Sequence, residues 1–523
     1  MRTRIVPSKL MQAVTFRSGR DSLRLASGRE DRRRNARPRP SNRPGAARRP
    51  RIGTEGAQAV VTLTTGGANR RSFLRRGAAA GGRFAVGAME GLSARAVRAR
   101  DGERDRVSPG NGGYGDLRAL TRTDPDSGAS RTLLLPEGFD FAVCSAAGSP
   151  MRDKVPTPPA HGGMACFATG RAGEWRLVRG HGARTAAAEE GRGYDALGAG
   201  ATTTLKVRWE DGAPRFEEVW RSLSGTVAAR AGGPTPWGSW LSCEATTAGT
   251  GAGWARDHGY AFEVPSAEEG EVEPLPLKAM GRFVHEAVAV DPRSGAVYQT
   301  EDQRTAGFYR YVPDAPGDLA GGGRLEMLKV GGAWNFDTRT GQRSGRSLAA
   351  EWVAVDDPDP AGAEADELAV FNQGWARGAA VFGRLEGCFY ADGAVYFASA
   401  SGGDEGEGQL WEYRPLGRGG GTLTLVFESP DAALLSYPDA VAVSPGGNLI
   451  LCENAGAAPA LRGATREGEV FPLARGEDGA AWRGACFSPD GRVLFANLQD
   501  RGDGAQESAV TVAVWGPWSK GVL

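Results

Sequence analysis

Cysteine, histidine and methionine are all scarce in this sequence of 523 residues, which contains 6 Cys, 4 His and 7 Met. The cysteines are scattered and never show the CxxC spacing, which excludes a zinc ribbon and a disulfide-dense scaffold. They are predicted to be mostly small buried apolar residues. Runs of about 18 consecutive apolar residues are also missing, which excludes an ordinary membrane-spanning helix.

Charge of one sign dominates only at the start of the chain. The formal net charge is +1, yet residues 1–100 are rich in arginine and poor in acids, so the remainder is acidic. An acidic main domain argues against nucleic acid as its partner. Glycine, by contrast, is abundant, with 78 residues, and long helical patterns are few. This composition predicts short strands joined by tight turns, and therefore an all-β protein.

The N-terminal region contains a candidate export signal. Residues 69–76, NRRSFLRR, precede a mildly apolar stretch and the small-residue sequence Ser93-Ala-Arg-Ala96, a layout typical of a twin-arginine signal. We predict a signal peptide at 69–96 and a periplasmic or extracellular location. Residues 1–68 are predicted to be a disordered leader or an organellar transit segment, unless translation starts downstream. The alternative for 69–96 is an arginine-rich disordered leader with a chance pair of arginines.

A strand-turn-strand phrase recurs along the chain. Four clear copies and two weaker ones start at His285, Leu385, Pro438, Trp482, Gly163 and Ser222. Each joins two alternating apolar strands across a turn such as Asp-Pro, Ser-Pro or Asp-Gly. Repeats of this kind predict a β-propeller. We expect a six-bladed β-propeller over residues 113–515, with a central metal-lined channel and an insertion around 312–370.

Acidic residues recur at two aligned positions of this phrase. Those at the first strand are Glu286, Glu386 and Asp439, and those that end the second strand are Glu244, Glu301 and Glu453. Because corresponding blade ends converge on the channel, the acids are predicted to form a ring that metal cations neutralise. Oxygen ligands favour calcium, and a thiolate from Cys243 or Cys452 favours a transition metal such as iron. The alternative is that each acid is solvated or hydrogen-bonded to turn amides.

Further segments form a specific combination of motifs. They are TPWGSWLSCEA from Thr235, HEA from His285, RLE from Arg384, CEN from Cys452, FSPDGRVLFANLQ from Phe487, LPEGF from Leu135, and the segment Pro156–Met164. Together they resemble the PhoX-type alkaline phosphatases, a family exported by the twin-arginine route. The resemblance extends over residues 113–500.

The resemblance implies a six-bladed propeller that holds iron and calcium in its channel and hydrolyses phosphomonoesters. It implies that Cys243 is an iron ligand, that Arg384 holds phosphate, and that the other metal ligands are Glu244, Glu286, Glu386, Asp439 and Glu453. Glu301 joins the set from its position in the repeat alone. Such metals bind phosphoryl oxygens and supply a nucleophile near neutral pH. We expect a monomer that acts on a phosphorylated small molecule, with no nucleic-acid partner and no membrane span.

The sequence departs from the family pattern where the family carries anionic ligands or phosphate contacts. These positions are Gly162, Gly182, Ala229-Arg230, Ala245 and Ala481. A second hypothesis is therefore a non-catalytic or degenerate propeller that binds an anion, a metal or a protein partner. A third is a calcium-dependent lactonase, because such enzymes also use propeller channels lined with carboxylates. Metal analysis and parallel phosphate and lactone assays separate the three.

Overall fold

The structure is a computed structural model, and it describes residues 110–123, 128, 130–184, 193–417, 419–454, 456, 458–477, 479–500 and 509–523. The predicted leader at 1–68 and the predicted signal peptide at 69–96 lie outside the described residues. Both therefore stay predictions of the sequence.

Strands make up most of the regular structure, as the glycine-rich and helix-poor sequence predicts. In chain order they are β1 (Leu117–Thr123), β2 (Ser130–Pro136), β3 (Asp140–Ala146), β4 (His161–Ala168), β5 (Glu174–His181), β6 (Gly200–Glu210), β7 (Ala213–Thr226), β8 (Gly233–Pro234), β9 (Ser239–Cys243), β10 (Ala261–Pro265), β11 (His285–Val290), β12 (Val297–Glu301), β13 (Phe308–Ala315), β14 (Asp318–Val330), β15 (Ser347–Val355), β16 (Leu385–Ala391), β17 (Ala394–Ser399), β18 (Gln409–Leu416), β19 (Gly420–Glu428), β20 (Pro438–Val443), β21 (Leu449–Glu453), β22 (Ala460–Ala464), β23 (Val470–Gly476), β24 (Ala481–Phe487), β25 (Val493–Gln499) and β26 (Ala509–Trp515).

Within the described residues, helical structure is limited to short segments. The α-helix α1 spans Ala369–Trp375, and 3-10 turns lie at Thr250–Ala252, Lys278–Met280 and Trp518–Lys520. None of the helices in the described part of the chain is long and apolar enough to span a bilayer.

Turn chemistry sets the hairpins. Between β11 and β12 the Asp291 carboxylate accepts a hydrogen bond from the Arg293 N–H at 2.9 Å, and Gly295 closes the turn with φ 73°. This left-handed φ suits glycine, which has no Cβ. Antiparallel meanders of this kind form the sheets β4-β5-β6-β7 and β24-β25-β26-β3 and the shorter β8-β9-β10.

Two larger sheets hold the remaining strands. The 9-stranded sheet β11-β12-β13-β14-β15-β19-β18-β17-β16 joins two meanders edge to edge through β15 and β19. The 6-stranded sheet runs β20-β21-β22-β23-β2-β1. Strand β3, near the start of the described residues, pairs with β26 near their end. This pairing covers an edge that would otherwise be open.

The first strands of the meanders contact one another in a closed cycle. Strand β4 lies against β8, β8 against β11, β11 against β16, β16 against β20, β20 against β24, and β24 against β4. This all-β architecture is a β-propeller, and the predicted fold class is confirmed. The count of six blades stays a prediction, because the sheets do not divide into equal four-stranded units.

The segment predicted as an insertion, 312–370, extends the sheet that contains β11. It holds the second half of β13, then β14 and β15, and the pairing of β13, β14 and β15 is antiparallel. In the loop after β15, the Glu364 carboxylate accepts hydrogen bonds from the N–H groups of Gly249, Gly251 and Ala252 at 2.7–3.1 Å. These bonds fix the loop after β15 to the loop after β9.

Apolar side chains pack between neighbouring sheets. The indoles of Trp240, Trp411 and Trp482 are almost completely buried, and burying a large apolar side chain contributes about 1.5–3 kcal/mol. All six cysteines lie in the described part of the chain and none forms a disulfide. Four of them are buried and two are half-buried, as small apolar residues would be.

A β-bulge recurs at the start of the inner strands. The pairing register shifts directly after the first residue of β4, β11, β16 and β20. The bulges of β11, β16 and β20 contain Glu286, Glu386 and Asp439 respectively. A bulge leaves a residue outside the regular ladder and changes the direction of its side chain. The repeated bulge is therefore the local feature that positions the first-strand acids.

Candidate metal and phosphate site

Three carboxylates from two neighbouring blades converge in the channel. Ligand oxygens of Glu286, Asp302 and Glu386 all lie within 4.8 Å of one another. Glu286 and Glu386 are buried, and Asp302 is half-buried. We call these three residues the acidic cluster. Anionic oxygens this close repel one another, and a cation bound between them would remove the repulsion.

Asp439, on the next blade, adds its charge to the acidic cluster. Burial raises the pKa of Glu286 to about 8, and the charges of Asp302 and Asp439 act in the same direction. Burial and the neighbouring carboxylates also hold the pKa of Glu386 well above its usual range. Within the described residues, Glu286 Oε2 and Asp439 Oδ2 are buried without a hydrogen-bond partner. Such atoms are costly to bury, so they fit an oxygen-coordinated cation.

Arg230 supplies positive charge among these carboxylates. Ala229 pairs with Glu244 in an isolated β-bridge, just as His285 pairs with Glu301 at the start of β11. Arg230 directly follows Ala229, so it holds the position in its blade that Glu286 holds in β11. Burial lowers the pKa of Arg230, but the surrounding carboxylates outweigh burial and raise that pKa above its ordinary value. In the sequence, Ala229-Arg230 stands out only as a departure from a family pattern. The structure shows that an arginine holds the position of an acid in the repeat.

Arg384 is fixed against the acidic cluster by two carboxylates. Its Nε lies 3.0 Å from Asp302 Oδ1, and its Nη2 lies 3.2 Å from Glu386 Oε1. The side chain is nevertheless 39% exposed. Its backbone has φ 46°, a conformation that is rare for a large side chain and is concentrated at functional sites. The exposed part of the guanidinium can donate to an anionic oxygen.

A cavity of about 880 Å³ adjoins the acidic cluster and Arg384. Its basic lining residues are Arg184, Arg230, Arg304 and Arg384, and its acidic ones are Asp302, Glu364, Asp366 and Glu367. A cavity of this size accommodates a small organic molecule. The arginines offer planar donor pairs that match the oxygens of a phosphate group.

The acids that end the second strands are not part of the acidic cluster. Glu244 Oε1 accepts hydrogen bonds from the Val227 N–H at 2.9 Å and from His258 Nδ1 at 2.7 Å. Its Oε2 accepts from the N–H groups of Gly259 and Tyr260 at 3.0 and 3.3 Å. Protein donors therefore occupy both oxygens, which does not favour the predicted role of Glu244 as a metal ligand.

Glu453 shows the same arrangement, and Glu301 shows it at one of its two oxygens. Glu301 Oε2 accepts hydrogen bonds from the Gly307 N–H at 2.7 Å and the Tyr309 hydroxyl at 2.8 Å, although its Oε1 has no partner among the described residues. Glu453 accepts from two backbone N–H groups at 3.0 and 2.9 Å and lies 3.0 Å from Arg462 Nε. These acids attach loops to the strand ends. This is the alternative to metal binding, in which a strand-end acid is hydrogen-bonded to backbone amides.

Cys243 is fully buried at the end of β9. Burial, then the charges of Glu286 and Glu244, raise the pKa of its thiol above the usual range. It belongs to an apolar cluster with Leu241 and Val288, and among the described residues it is not one of the groups whose ligand atoms meet within 4.8 Å. The atoms brought together there are oxygens. The role of Cys243 as an iron ligand stays a prediction.

Two departures from the family pattern are enclosed glycines. A Cβ at Gly162 would lie 2.9 Å from the Arg230 carbonyl oxygen, and a Cβ at Gly182 would lie 2.6 Å from the Ala229 carbonyl oxygen. Real Cβ contacts are longer, and backbone atoms cannot rotate away as side chains do. An acid at either position would require the backbone at Ala229-Arg230 to move.

Two charged residues near the site, besides Arg230, are absent from the sequence prediction. Asp302 directly follows Glu301, the last residue of β12, so two consecutive acids at this strand end were the signal that could have identified it. Arg483 Nη1 lies 3.9 Å from Asp439 Oδ2. No sequence signal identified Arg483, because arginine is common in this chain and the partner of an arginine depends on the fold.

Three solved structures are similar to this chain to different degrees. PhoX from Pseudomonas fluorescens, in complex with the transition state analogue vanadate, matches with a TM-score of 0.59 at 16% identity, over 78% of this chain and 99% of that chain. A gluconolactonase from Xanthomonas campestris gives 0.34 at 12% identity, over 78% and 99%. A luciferin-regenerating enzyme gives 0.35 at 10% identity, over 72% and 96%. Only the first score supports a comparison of folds, and it agrees with the β-propeller.

A family comparison of the sequence agrees with this fold. No curated protein matches the sequence. Residues 197–502, more than half of the chain, match the model of the alkaline phosphatase PhoX family. The matched span contains the acidic cluster, Arg230 and Arg384. The resemblance carried by the motifs is thereby confirmed, and the chain belongs to the alkaline phosphatase PhoX family.

Proposed function

We propose that the chain is a metal-dependent phosphoric monoester hydrolase. The observation that carries this proposal is the convergence of Glu286, Asp302 and Glu386 beside the guanidinium of Arg384. Phosphoryl transfer requires positive charge around the phosphoryl oxygens, and bound cations together with an arginine supply it. Membership of the alkaline phosphatase PhoX family supports the same reaction.

The roles of the protein side chains follow from their contacts. When bound, metal cations supply Lewis-acid charge and activate water. Glu286, Asp302 and Glu386 would hold them, with Asp439 adding a further oxygen donor. Arg384 is held in place by Asp302 and Glu386, so it meets the phosphoryl oxygens in a preorganised position.

Calcium and iron are the metals that we propose. The carboxylate oxygens of the acidic cluster are hard ligands and fit calcium. Iron would be held with the help of a soft thiolate, and Cys243 is the candidate. The charge of Glu286 acts on the Cys243 thiol. The filled oxygens of Glu244 and Glu453 make these two acids weaker candidates.

The proposal is tested with purified protein reconstituted with calcium and iron. It is assayed on 4-nitrophenyl phosphate from neutral to alkaline pH, with an aryl lactone in parallel. We expect hydrolysis of the phosphate ester that a chelator abolishes and added metal restores. Metal-replete protein that hydrolyses neither compound would contradict the proposal, and hydrolysis of the lactone alone would favour a lactonase.

A second candidate function is a non-catalytic propeller that binds an anion, a metal or a protein partner. Two observations favour it. The neighbouring backbone leaves no room for a side chain at Gly162 or Gly182, and Arg230 holds a position that is acidic in other blades. These positions cannot contribute anionic ligands without movement of the backbone. Elemental analysis together with the phosphate assay separates the two functions, because an enzyme of this type requires near-stoichiometric metal and turnover, whereas the non-catalytic propeller shows no turnover even when it holds metal.

The cellular setting belongs to the same proposal. We propose a periplasmic or extracellular enzyme, exported through a signal at 69–96, that acts as a monomer on small phosphorylated molecules. Export with metal already inserted is compatible with the twin-arginine route, which moves folded proteins.

A further inference from the structure

One backbone conformation recurs directly before the inner strands of several blades. Ala160 precedes β4 with φ 53°, Arg384 precedes β16 with φ 46°, and Tyr437 precedes β20 with φ 49°. Ala228, with φ 55°, stands in the same register before Arg230. At each of these corners the residue lies two positions before the channel position of its blade. Arg384 and Tyr437 are therefore equivalent residues of neighbouring blades.

Side-chain size divides these corners into two kinds. Ala160 and Ala228 are small and buried, so they present no side chain to a ligand. Arg384 and Tyr437 carry large side chains that are exposed, and Tyr437 is 37% exposed. A bulky residue with positive φ is a genuine outlier, and such strain persists mainly at functional sites.

The backbone of Tyr437 is held from both sides. Its N–H donates to the Glu407 carbonyl oxygen at 3.0 Å, and its carbonyl oxygen accepts from the Asn454 N–H at 3.4 Å. The Asn454 side chain in turn accepts a hydrogen bond from Arg483, which pairs with Asp439. These hydrogen bonds fix the backbone that carries the Tyr437 ring, and through Asn454 and Arg483 they connect it to Asp439.

The strands that carry the two corners are in close contact. A Cβ at Gly387 in β16 would lie 2.5 Å from the Val441 N and 2.7 Å from the Asp439 carbonyl oxygen in β20. Only glycine permits this approach, and it brings the starts of β16 and β20 together. Arg384 and Tyr437 each stand one residue before these starts, so they hold equivalent places at the same end of the channel.

We propose that Tyr437 is a specificity-determining residue that packs its ring against the organic group of a phosphomonoester whose phosphoryl group Arg384 binds. The inference rests on the proposed function. A flat and partly exposed ring favours aromatic groups, which stack on it, over small alkyl groups, which offer little contact area. The substrate class is therefore aryl phosphates and monophosphates that carry a planar ring.

The proposal is tested with Tyr437→Gly and Tyr437→Phe. Glycine suits a φ of 49°, so Tyr437→Gly removes the ring without straining the corner. The control is Leu416→Ala, which removes an exposed apolar side chain at the end of β18, away from the channel corners. Each protein is assayed on phenyl phosphate and methyl phosphate, and the selectivity is the ratio of the two kcat/KM values.

We expect the ratio of phenyl to methyl phosphate to fall about tenfold in Tyr437→Gly. Tyr437→Phe should retain the selectivity, because the ring face remains, and Leu416→Ala should leave it unchanged. An unchanged ratio in Tyr437→Gly overturns the assignment of Tyr437 while the hydrolase function stands. A loss of selectivity in Leu416→Ala as well would also overturn it.

A binding measurement separates this inference from the proposed function. If the wild-type protein hydrolyses neither ester, the hydrolase proposal fails, and phenylphosphonate and methylphosphonate are then compared by calorimetry. Tighter binding of phenylphosphonate that is lost in Tyr437→Gly supports the ring platform. Equal affinities of wild type and Tyr437→Gly for phenylphosphonate overturn it.

Discussion

Arg230 and Glu286 hold equivalent positions in neighbouring blades and carry opposite charges. Each follows the residue that pairs with the end of the second strand, Ala229 with Glu244 and His285 with Glu301. The guanidinium acts on Glu286, Asp439 and the other carboxylates of the channel. One positive charge of the channel is therefore supplied by the chain itself.

Arg230→Met removes this charge at similar volume. We expect the metal-free protein to lose about 2 kcal/mol of unfolding free energy, because buried carboxylates lose their cationic partner. Millimolar calcium should raise the melting temperature more in the variant than in the wild type, since the cation replaces the guanidinium. The control Arg377→Met removes an exposed partner of Asp356. Equal calcium responses of Arg230→Met and wild type would contradict this prediction.

Glu286→Gln and Glu244→Gln separate the two classes of repeated acid. Glu286→Gln should weaken metal binding by more than about tenfold, because an oxygen donor of the acidic cluster loses its charge. Glu244→Gln should lower the unfolding free energy by about 2 kcal/mol and leave the metal content unchanged, since its carboxylate binds protein donors. Elemental analysis and urea unfolding measure both. If Glu244→Gln loses metal at unchanged stability, Glu244 is a ligand.

Cys243→Ser tests the proposed iron ligand. Serine replaces a soft anionic ligand by a poor one, so we expect iron and any visible charge-transfer colour to be lost while circular dichroism stays native. Burying a hydroxyl in this apolar site should also cost about 1–3 kcal/mol of stability. Cys486→Ser, in another apolar cluster, should lose stability without losing metal. Full iron in Cys243→Ser would return the thiol to the role of a buried apolar residue.

His258 should make stability depend on pH. Burial lowers its pKa, but hydrogen bonds and charges from Glu244 and Asp195 outweigh burial, and the folded-state pKa lies above the ordinary 6.5. The protonated ring therefore stabilises the fold fully below about pH 6.5, and this contribution is lost as pH rises through the folded-state pKa.

The variant His258→Asn checks this origin. It should be less stable than the wild type in acid and should show a smaller loss of unfolding free energy between mildly acidic and alkaline pH. Urea denaturation across this range measures the difference. Parallel pH profiles for the two proteins would show that other groups cause the dependence.

Arg384→Lys tests the proposed phosphate contact. Lysine keeps the charge but cannot present two coplanar donors, so we expect kcat/KM for an aryl phosphate to fall by about tenfold or more. Inhibition by inorganic phosphate should weaken in parallel. Arg377→Lys, at an exposed ion pair with Asp356, is the matched control and should behave as wild type. An unaltered kcat/KM in Arg384→Lys would remove Arg384 from the site.

Local signals explain why the sequence predicted the fold class. Alternating apolar residues and turns such as the one that begins at Asp291 specify hairpins, and a hairpin is decided by residues near one another in the chain. The same periodicity aligned Glu286 with Glu386. The repeat could not show that Glu244 binds protein donors and Glu286 does not, because a position in the repeat does not show which loop folds over a strand end. The donors to Glu244 come from Val227, His258 and the loop beyond β9.

The amino-acid sequence by itself determined the family, the all-β meanders and the recurrence of acids at two positions of each hairpin. The tertiary structure decided that Glu286, Glu386 and Asp302 meet, that Glu244 and Glu453 attach loops, and that Arg230 stands among the carboxylates. The physical reason is that a charge in the channel takes its partners from other blades. Which blades are neighbours, and how closely their backbones approach at positions such as Gly387, is settled only when the propeller closes.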